Sequence, residues 1–375
     1  MSTVAPSYKA TIIASSGEYF EMGEFLSLQF AYSLNRGTQA MLVLSMEDSK
    51  LTSQTNAVRQ SWLRIERRDD PSDSSSPFRL VWYGNLYSAK ASGNADNAQM
   101  VLMYEDLASL LGSRYTAKGY QVLTATDQSD ILWQAINNTQ SETYGSLNIT
   151  RGSHPTSHNR TAAKDLQSRS ILDVLTSYSE INYGIDWEIT PTPYSSEIGI
   201  FNTFYKGDSY QYHKGQELTT TLRYIVGDHG TSYNNNVVSY EIVEDGEKFA
   251  NRVAVYGAAT TATQLTGTSE DIVSQSNYKL FERHISEPDV SVQSTLEDKS
   301  ALYLNDYVQI PKDIKFTMMP LMQPRFGTFD VGDIFNVDFQ YRNALTFIGQ
   351  YRLYKFTVTV DNSGVEKMNF ELNVV

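Results

Sequence analysis

The chain has 375 residues, of which 41% are hydrophobic, enough to bury a sizeable core and to exclude native disorder. Lys plus Arg number 30 against 43 Asp plus Glu, a formal net charge of -13, and an acidic surface repels nucleic-acid phosphates. There is no Cys, which excludes disulfides, thiolate nucleophiles and Cys-ligated zinc or iron–sulfur centres.

The length suggests about two to four domains. Tyr is abundant, with 25 residues against 4 Trp, and Tyr suits pleated, half-buried strands as well as interfaces. A β-rich core accounts for it more simply than a Tyr-rich binding surface. The first residues, MSTVAPSYKATIIASSGEYF, lack the basic segment and long apolar run of a signal peptide. No window has the roughly 18 apolar residues that cross a bilayer, so stable membrane insertion is not expected.

Residues 1–20 read as an irregular arm leading into a strand around Ala10–Ala14. Phe25, Leu26, Leu28, Phe30 and Tyr32 suggest another strand, and Ala40–Met46 a short buried one. Arg67–Pro77 is polar and rich in Ser and Pro, the composition of a solvated loop. Phe78–Ala89 is a strand carrying Gly84, a residue that marks a bulge or a close backbone approach inside a strand. Gly93–Asn97 is the turn and Gln99–Tyr104 the return strand. Leu107, Leu110 and Leu111 then take helical spacing.

A second rhythm follows. Asp127 or Ser129 caps a helix burying Ile131, Leu132, Ala135 and Ile136. Residues 137–164 read as a polar loop. Ser170 and Asp173 form a short-carboxylate capping box for a helix burying Ile171, Leu172, Leu175 and Tyr178. Gly184 ends it, and strands follow at Ile185–Thr190 and Ile198–Tyr205, so this region reads as a small α+β module.

Strands resume at Thr219–Val226, Val237–Val243 and Asn251–Tyr256, with Asp245-Gly246 as a turn. Ala258–Asn277 is rich in Thr and Ser and reads as a loop. Ser294 and Glu297 match a capping box for a helix burying Leu296, Ala301 and Leu304. Lys315–Leu321 and Ile334–Phe339 are strands. The chain then closes on the strongest signal it contains: Tyr354, Phe356, Val358 and Val360 alternate with polar residues, Asp-Asn-Ser-Gly breaks the pattern, and Met368, Phe370 and Leu372 resume it. That is an antiparallel hairpin with one buried face. A weak repeat links Trp82-Tyr83-Gly84-Asn85-Leu86-Tyr87 with Phe347-Ile348-Gly349-Gln350-Tyr351-Arg352.

Catalytic signatures are sparse. His154 and His158 stand four apart, but Pro155 and a loop-like context oppose a helical zinc site. Asp186 and Glu188 share one strand face, the residue type glycoside hydrolysis needs, although same-strand pairs are usually solvated. Asp330 and Asp333 flank Val331-Gly332, a pattern that turn chemistry explains. Gly227-Asp228-His229-Gly230 is another turn-like group. No phosphate loop, dinucleotide fingerprint or nucleophile elbow occurs. No catalytic, cofactor-binding or metal-binding residue is assigned, and no cofactor is expected.

The order of parts resembles the hub proteins of bacteriophage tail tips and baseplates, a class of minor tail proteins. The matching pieces are Trp82-Tyr83-Gly84 through Tyr104-Glu105-Asp106-Leu107, Ile171 to Leu175 followed by Asp186-Trp187-Glu188, Phe249 to Gly257, and Asp330-Val331-Gly332-Asp333. The resemblance covers nearly the whole chain; order and spacing carry it rather than any single motif. It implies a mainly β (α+β) fold: two tail-tube-like antiparallel β-barrel or sandwich domains with a small helix-containing middle module. The expected divisions are 1–117, 118–216 and 217–375, with an insertion at about 259–307.

The resemblance further implies a non-enzymatic homotrimer of the virion that continues the tail tube and adapts it to a three-fold tip. Its expected partners are the distal tail protein, the tape measure protein and a central tail fibre or tip protein, with DNA passing only transiently through an acidic lumen. Two alternatives fit the same β-rich reading: a distal tail protein, and a carbohydrate- or receptor-binding tail protein.

Overall fold

The computed structural model describes residues 5–73, 75–94, 97–117, 121–122, 125–151, 159–161, 164–179, 185–193, 200–206, 215–226, 234–244, 246–259, 263–308, 312–319, 322–342 and 345–374. Thirteen strands form one large sheet. In chain order they are β1 (Ser7–Ile13), β2 (Tyr19–Met22), β3 (Ser27–Ser33), β4 (Gln39–Ser45), β5 (Trp62–Arg68), β6 (Arg79–Asn94) and β7 (Asn97–Asp106). After the middle of the chain come β8 (Glu217–Val226), β9 (Val237–Glu244), β10 (Lys312–Met318), β11 (Ile334–Tyr341), β12 (Leu345–Asp361) and β13 (Glu366–Val374). The sheet runs β9-β10-β13-β12-β3-β4-β7-β6-β5-β1-β2, with β11 on β12 and β8 on β11. All pairings are antiparallel except β8 with β11.

Alternation explains why these segments are strands. In β12, Phe356, Val358 and Val360 are buried while Thr357 and Thr359 on the other face are not. In β13 the buried set is Met368, Phe370 and Leu372. Those six residues were expected to be core from sequence. Tyr354 was expected with them and is only half-buried. The ladder between β12 and β13 slips there: Leu353 faces Leu372, Lys355 faces Glu371, and Tyr354 is the extra residue. A bulge resets the phase of the strand, so Tyr351 and Leu353 carry the buried face before it.

The sheet contains the same five-stranded unit twice. The strands β3, β4, β5, β6 and β7 lie in the spatial order β3-β4-β7-β6-β5. The strands β9, β10, β11, β12 and β13 lie in the order β9-β10-β13-β12-β11. Every pairing within each unit is antiparallel, and the long strand of each carries a bulge, at Tyr87 and at Tyr354. The repeat read from Trp82–Tyr87 and Phe347–Arg352 falls on the long strands of the two units but two residues out of step: aligned on the bulges, Gly84 matches Tyr351 and not Gly349. The two units are not separate barrels. Pairing of β3 with β12, from Ser27↔Asp361 to Ser33↔Lys355, stitches them into one open sheet with one hydrophobic cluster, and no barrel closes among the described residues.

Two smaller clusters lie outside it. In the first, helices Gln128–Gln140 and Ile171–Ser179 pack Ile131, Ile136, Ile171 and Leu175 with Trp187. Both expected caps form, with Asp127 accepting from the Ser129 N–H at 2.7 Å and Ser170 from the Asp173 N–H at 3.2 Å. Within residues 137–164, expected as loop, the helix continues to Gln140 and short strands occupy Ile149–Arg151, Asn159–Thr161 and Lys164–Asp165. These polar segments are too short to show alternation. The second small cluster, around Val253, Val255, Val290 and Leu296, sits within the connection from β9 to β10.

The stretch 258–277, also expected as loop, holds strand Gln264–Glu270 and helix Ile272–Tyr278, which Asp271 caps. Thr and Ser in LTGTSE favour an extended chain without an apolar alternation to announce it. The helix Gln293–Tyr307 begins without a side-chain cap, and its buried residues are Leu296, Lys299 and Ser300; Ala301 is exposed. The Ser294–Glu297 signature therefore lies inside the first turn instead of at its boundary.

Candidate assembly surfaces and the buried anchors behind them

The middle cluster is held to the sheet by one polar knot. Asn35 lies in the turn between β3 and β4 with φ of 58°. Its Nδ2 donates to Asp186 Oδ1 at 2.6 Å, and its Oδ1 accepts from the Trp187 N–H at 2.7 Å. The other Asp186 oxygen pairs with the Arg352 guanidinium. Arg352 Nε also donates to the Gly332 carbonyl at 3.0 Å. Thus a turn of the first unit, a strand of the second and the chain entering Trp187–Pro193 meet at one carboxylate. This arrangement decides the reading of Asp186 and Glu188. Both oxygens of Asp186 are engaged structurally, and Glu188 instead lines a cavity of about 320 Å³ with Tyr32, Arg36, Asp330 and Phe356. Asp186 is thus committed to contacts that join three segments of the fold.

The Val-Gly-Asp motif is a turn. Asp333 is buried; its Oδ1 accepts from the Gln216 N–H and its Oδ2 from the Asp330 N–H, both at 2.9 Å. It ties the start of β8 to the start of β11. A matching role falls to Asp106 at the end of β7. Its Oδ2 accepts from the Thr38 N–H and hydroxyl at 2.8 and 2.7 Å, and its Oδ1 from the Ser109 N–H at 2.7 Å. Burial pushes its carboxyl above the usual range, and those hydrogen bonds pull the other way.

Arg67, expected in a solvated loop, is buried. Its Nε donates to Glu366 Oε2 at 2.8 Å and its guanidinium lies 5.1 Å from the Phe326 ring centre. Burial acts to lower its pKa, but Tyr8, Glu366 and Asp69 outweigh that and the net shift is upward. Sequence reasoning missed this pair because Arg67 and Glu366 are 299 residues apart. His154, His158 and Gly227-Asp228-His229-Gly230 lie outside the described residues. Among the described residues, no three His, Asp or Glu side chains cluster as metal ligands, and no helix is long and apolar enough to cross a membrane.

The face of the sheet opposite the large core is polar over β3, β12, β13, β10 and β9, whereas on β4 and β7 it carries Met41, Val43, Val101 and Met103. Across β3, β12, β13, β10 and β9 it carries Gln29, Thr357, Asn369, Thr317 and Ser239. Its charges are mixed in sign: Lys355 pairs with Glu371 at 2.8 Å, and Lys315 lies 4.0 Å from Glu241. The acidity expected of a lumen wall is not concentrated here.

Comparison with solved structures gives matches over nearly the full length. A tail protein from Neisseria meningitidis MC58 aligns with a TM-score of 0.63 at 11% identity, covering 98% of this chain and 97% of that one. The 43 kDa tail protein of prophage MuSo2 from Shewanella oneidensis gives 0.60 at 8% identity, with 97% and 98% covered. The chain has the fold of phage tail proteins. A prophage tail protein from Listeria monocytogenes EGD-e shares this tail-protein fold with a TM-score of 0.55 at 10% identity, over 97% and 94%. No family model and no curated protein matches the sequence. At such identities the tail-protein fold is kept by burial pattern and pairing rather than by particular residues.

Proposed function

We propose that this chain is a structural, non-enzymatic subunit of a phage tail tip or baseplate, acting as a homotrimeric hub in the virion. One observation carries the reading: the five-stranded unit occurs twice in one sheet. Three chains would present six such units, so a three-fold assembly can continue a six-fold tube. The engagement of both Asp186 oxygens supports the absence of hydrolytic chemistry.

In this reading residues 1–117 and 217–375 supply the two tube-like units, 118–216 is the middle module, and the insertion at about 259–307 decorates the second unit. The polar part of the sheet face opposite the large core, on β3, β12, β13, β10 and β9, lines the channel through which tape measure protein and then DNA pass. Its Thr, Asn and Ser side chains and its paired charges hold no basic stripe to retain phosphates. A distal tail protein on one side and a central fibre or tip protein on the other are the neighbours such an adaptor joins.

Imaging of the purified ring tests the assignment. Three-fold symmetry with a pseudo-six-fold inner wall is expected. A ring of six identical copies would transfer the chain to the distal tail role and overturn the hub reading.

A further inference from the structure

The sheet has two edges that no strand covers among the described residues and that the repeat makes complementary. One is the outer side of β9, the first strand in the sheet order. The other is the far half of β6: β5 pairs only as far as Asn85, so Ser88–Gly93 is paired on the β7 side alone. In the second unit the matching half of β12, beyond its pairing with β11, is occupied by β3. One long strand thus has its far half covered within the chain, and its counterpart does not.

The two bulges fix how the units superimpose. The ladder resumes with Ser88↔Met103 in one and Lys355↔Glu371 in the other. Following the ladders outward, Leu102 corresponds to Phe370, Leu42 to Phe316, and Phe30 and Leu28 to Ile242 and Tyr240. At the internal seam Phe30, Leu28, Val358 and Val360 are all 0% exposed. Their counterparts on the open edges, Ile242 and Tyr240 on β9 and Ala91 on β6, are part-covered or exposed. The apolar positions sealed at the seam are incompletely covered at the open edges: Tyr240 and Ile242 are part-buried, Tyr240 against Tyr224 and Phe339, and Ala91 is exposed. Open edges of this kind are a liability unless they are paired.

We infer that β9 of one chain pairs antiparallel with Ser88–Gly93 of β6 in a second copy, in the register of the β3–β12 seam. This rests on the ring reading above and specifies its interface. The register sets Val243 opposite Lys90, Ile242 opposite Ala91, Glu241 opposite Ser92 and Tyr240 opposite Gly93. Lys90 then lies diagonal to Glu241, an attractive cross-strand pair. The contact joins two different edges, so it is heterologous and generates a ring when the rotation closes. Repeated three times, it would leave neither edge free.

Cysteine cross-linking tests the register in a chain that has no Cys of its own. Leu34 N–H donates to the Tyr354 carbonyl at 2.9 Å across the internal seam, which makes Thr357 and Ala31 a pair of the closer, non-hydrogen-bonded type. Lys90 and Val243 inherit that geometry, and both are exposed, so folding tolerates their replacement. The doubly substituted Lys90→Cys, Val243→Cys chain is oxidised and run without reductant, beside Ser92→Cys, Glu241→Cys and an out-of-register control, Lys90→Cys, Ser239→Cys. The expected result is reducible dimers and closed trimers from both in-register pairs and none from the control. Trimers by mass without in-register cross-links would refute this interface and leave the ring intact. A chain that is monomeric by mass would remove the ring reading and this inference together.

Discussion

Asp186 and Arg352 form an ion pair between residues 166 apart in sequence, with Asp186 only 3% exposed. Asn35 completes it, so three remote segments depend on one carboxylate. Asp186→Ala leaves the Arg352 charge poorly compensated, and the expected destabilisation is about 3 kcal/mol. Replacing both residues with Leu should recover part of the loss. Urea denaturation of Asp186→Leu, Arg352→Leu and the double Leu variant measures the coupling; additive losses would show that the pair does not act as a unit.

The bulge at Tyr354 gives a second expectation. Phe356→Ala should destabilise by about 3–5 kcal/mol, because a fully buried ring is lost. Tyr354→Ala should lose roughly 1 kcal/mol, since that side chain is half-buried under Arg36. Plain alternation without a bulge predicts similar losses at both positions, so thermal denaturation of the two variants separates the readings.

Gly84 and Gly349 match in the sequence repeat, but the bulges set Gly84 at the place of Tyr351, and the two glycines differ in packing. A Cβ on Gly84 would sit 2.3 Å from the Glu105 carbonyl oxygen, whereas on Gly349 its nearest neighbour is the Tyr351 ring at 3.1 Å. Gly84→Ala should destabilise by about 1–3 kcal/mol, since backbone must move. Gly349→Ala needs only a shift of a side chain and should change stability by less than roughly 1 kcal/mol. Chemical denaturation checks the order; equal effects would contradict the close approach at Gly84.

The turn of the closing hairpin gives a pH dependence. Asp361 Oδ1 accepts from the Ser363 hydroxyl at 2.6 Å, the Ser363 N–H at 2.9 Å and the Val365 N–H at 3.0 Å, while Gly364 takes φ of 79°. The Ser363 hydroxyl first, then the backbone N–H groups, hold the Asp361 carboxyl below its usual range. A depressed folded pKa means the folded state binds its proton more weakly than the unfolded chain. The contribution of Asp361 is therefore fully present above the ordinary carboxylate pKa and is lost as pH falls through the depressed value. NMR titration of residues 361–365 should show an acid-shifted midpoint for wild type. The Asp361→Asn variant should lose the transition and melt at a lower temperature at neutral pH.

The closing hairpin was the most legible part of the sequence because local alternation and a local turn specify it. Phe356, Val358, Val360, Met368, Phe370 and Leu372 are all core as their spacing demands. Tyr354 escaped because a bulge depends on the partner strand, which alternation within one strand does not report. Residues 258–277 escaped because Thr-rich strands and exposed helices such as Ile272–Tyr278 carry no apolar stripe. The knot at Asp186 and the pair Arg67–Glu366 were not legible either. Each joins residues more than a hundred positions apart, and nothing local marks a carboxylate that will meet an arginine. The likeness around Gly84 and Gly349 pointed to the right pair of strands but in the wrong register by two residues, since shared pairing, not shared residues, preserves the repeat.

The mass of the assembled chain in solution tests the central claim most directly. Native mass spectrometry of the purified protein should give three times the 42.3 kDa chain, with no species of six copies. A chain that stays at the monomer mass at every concentration, or that assembles only in sixes, would contradict the account.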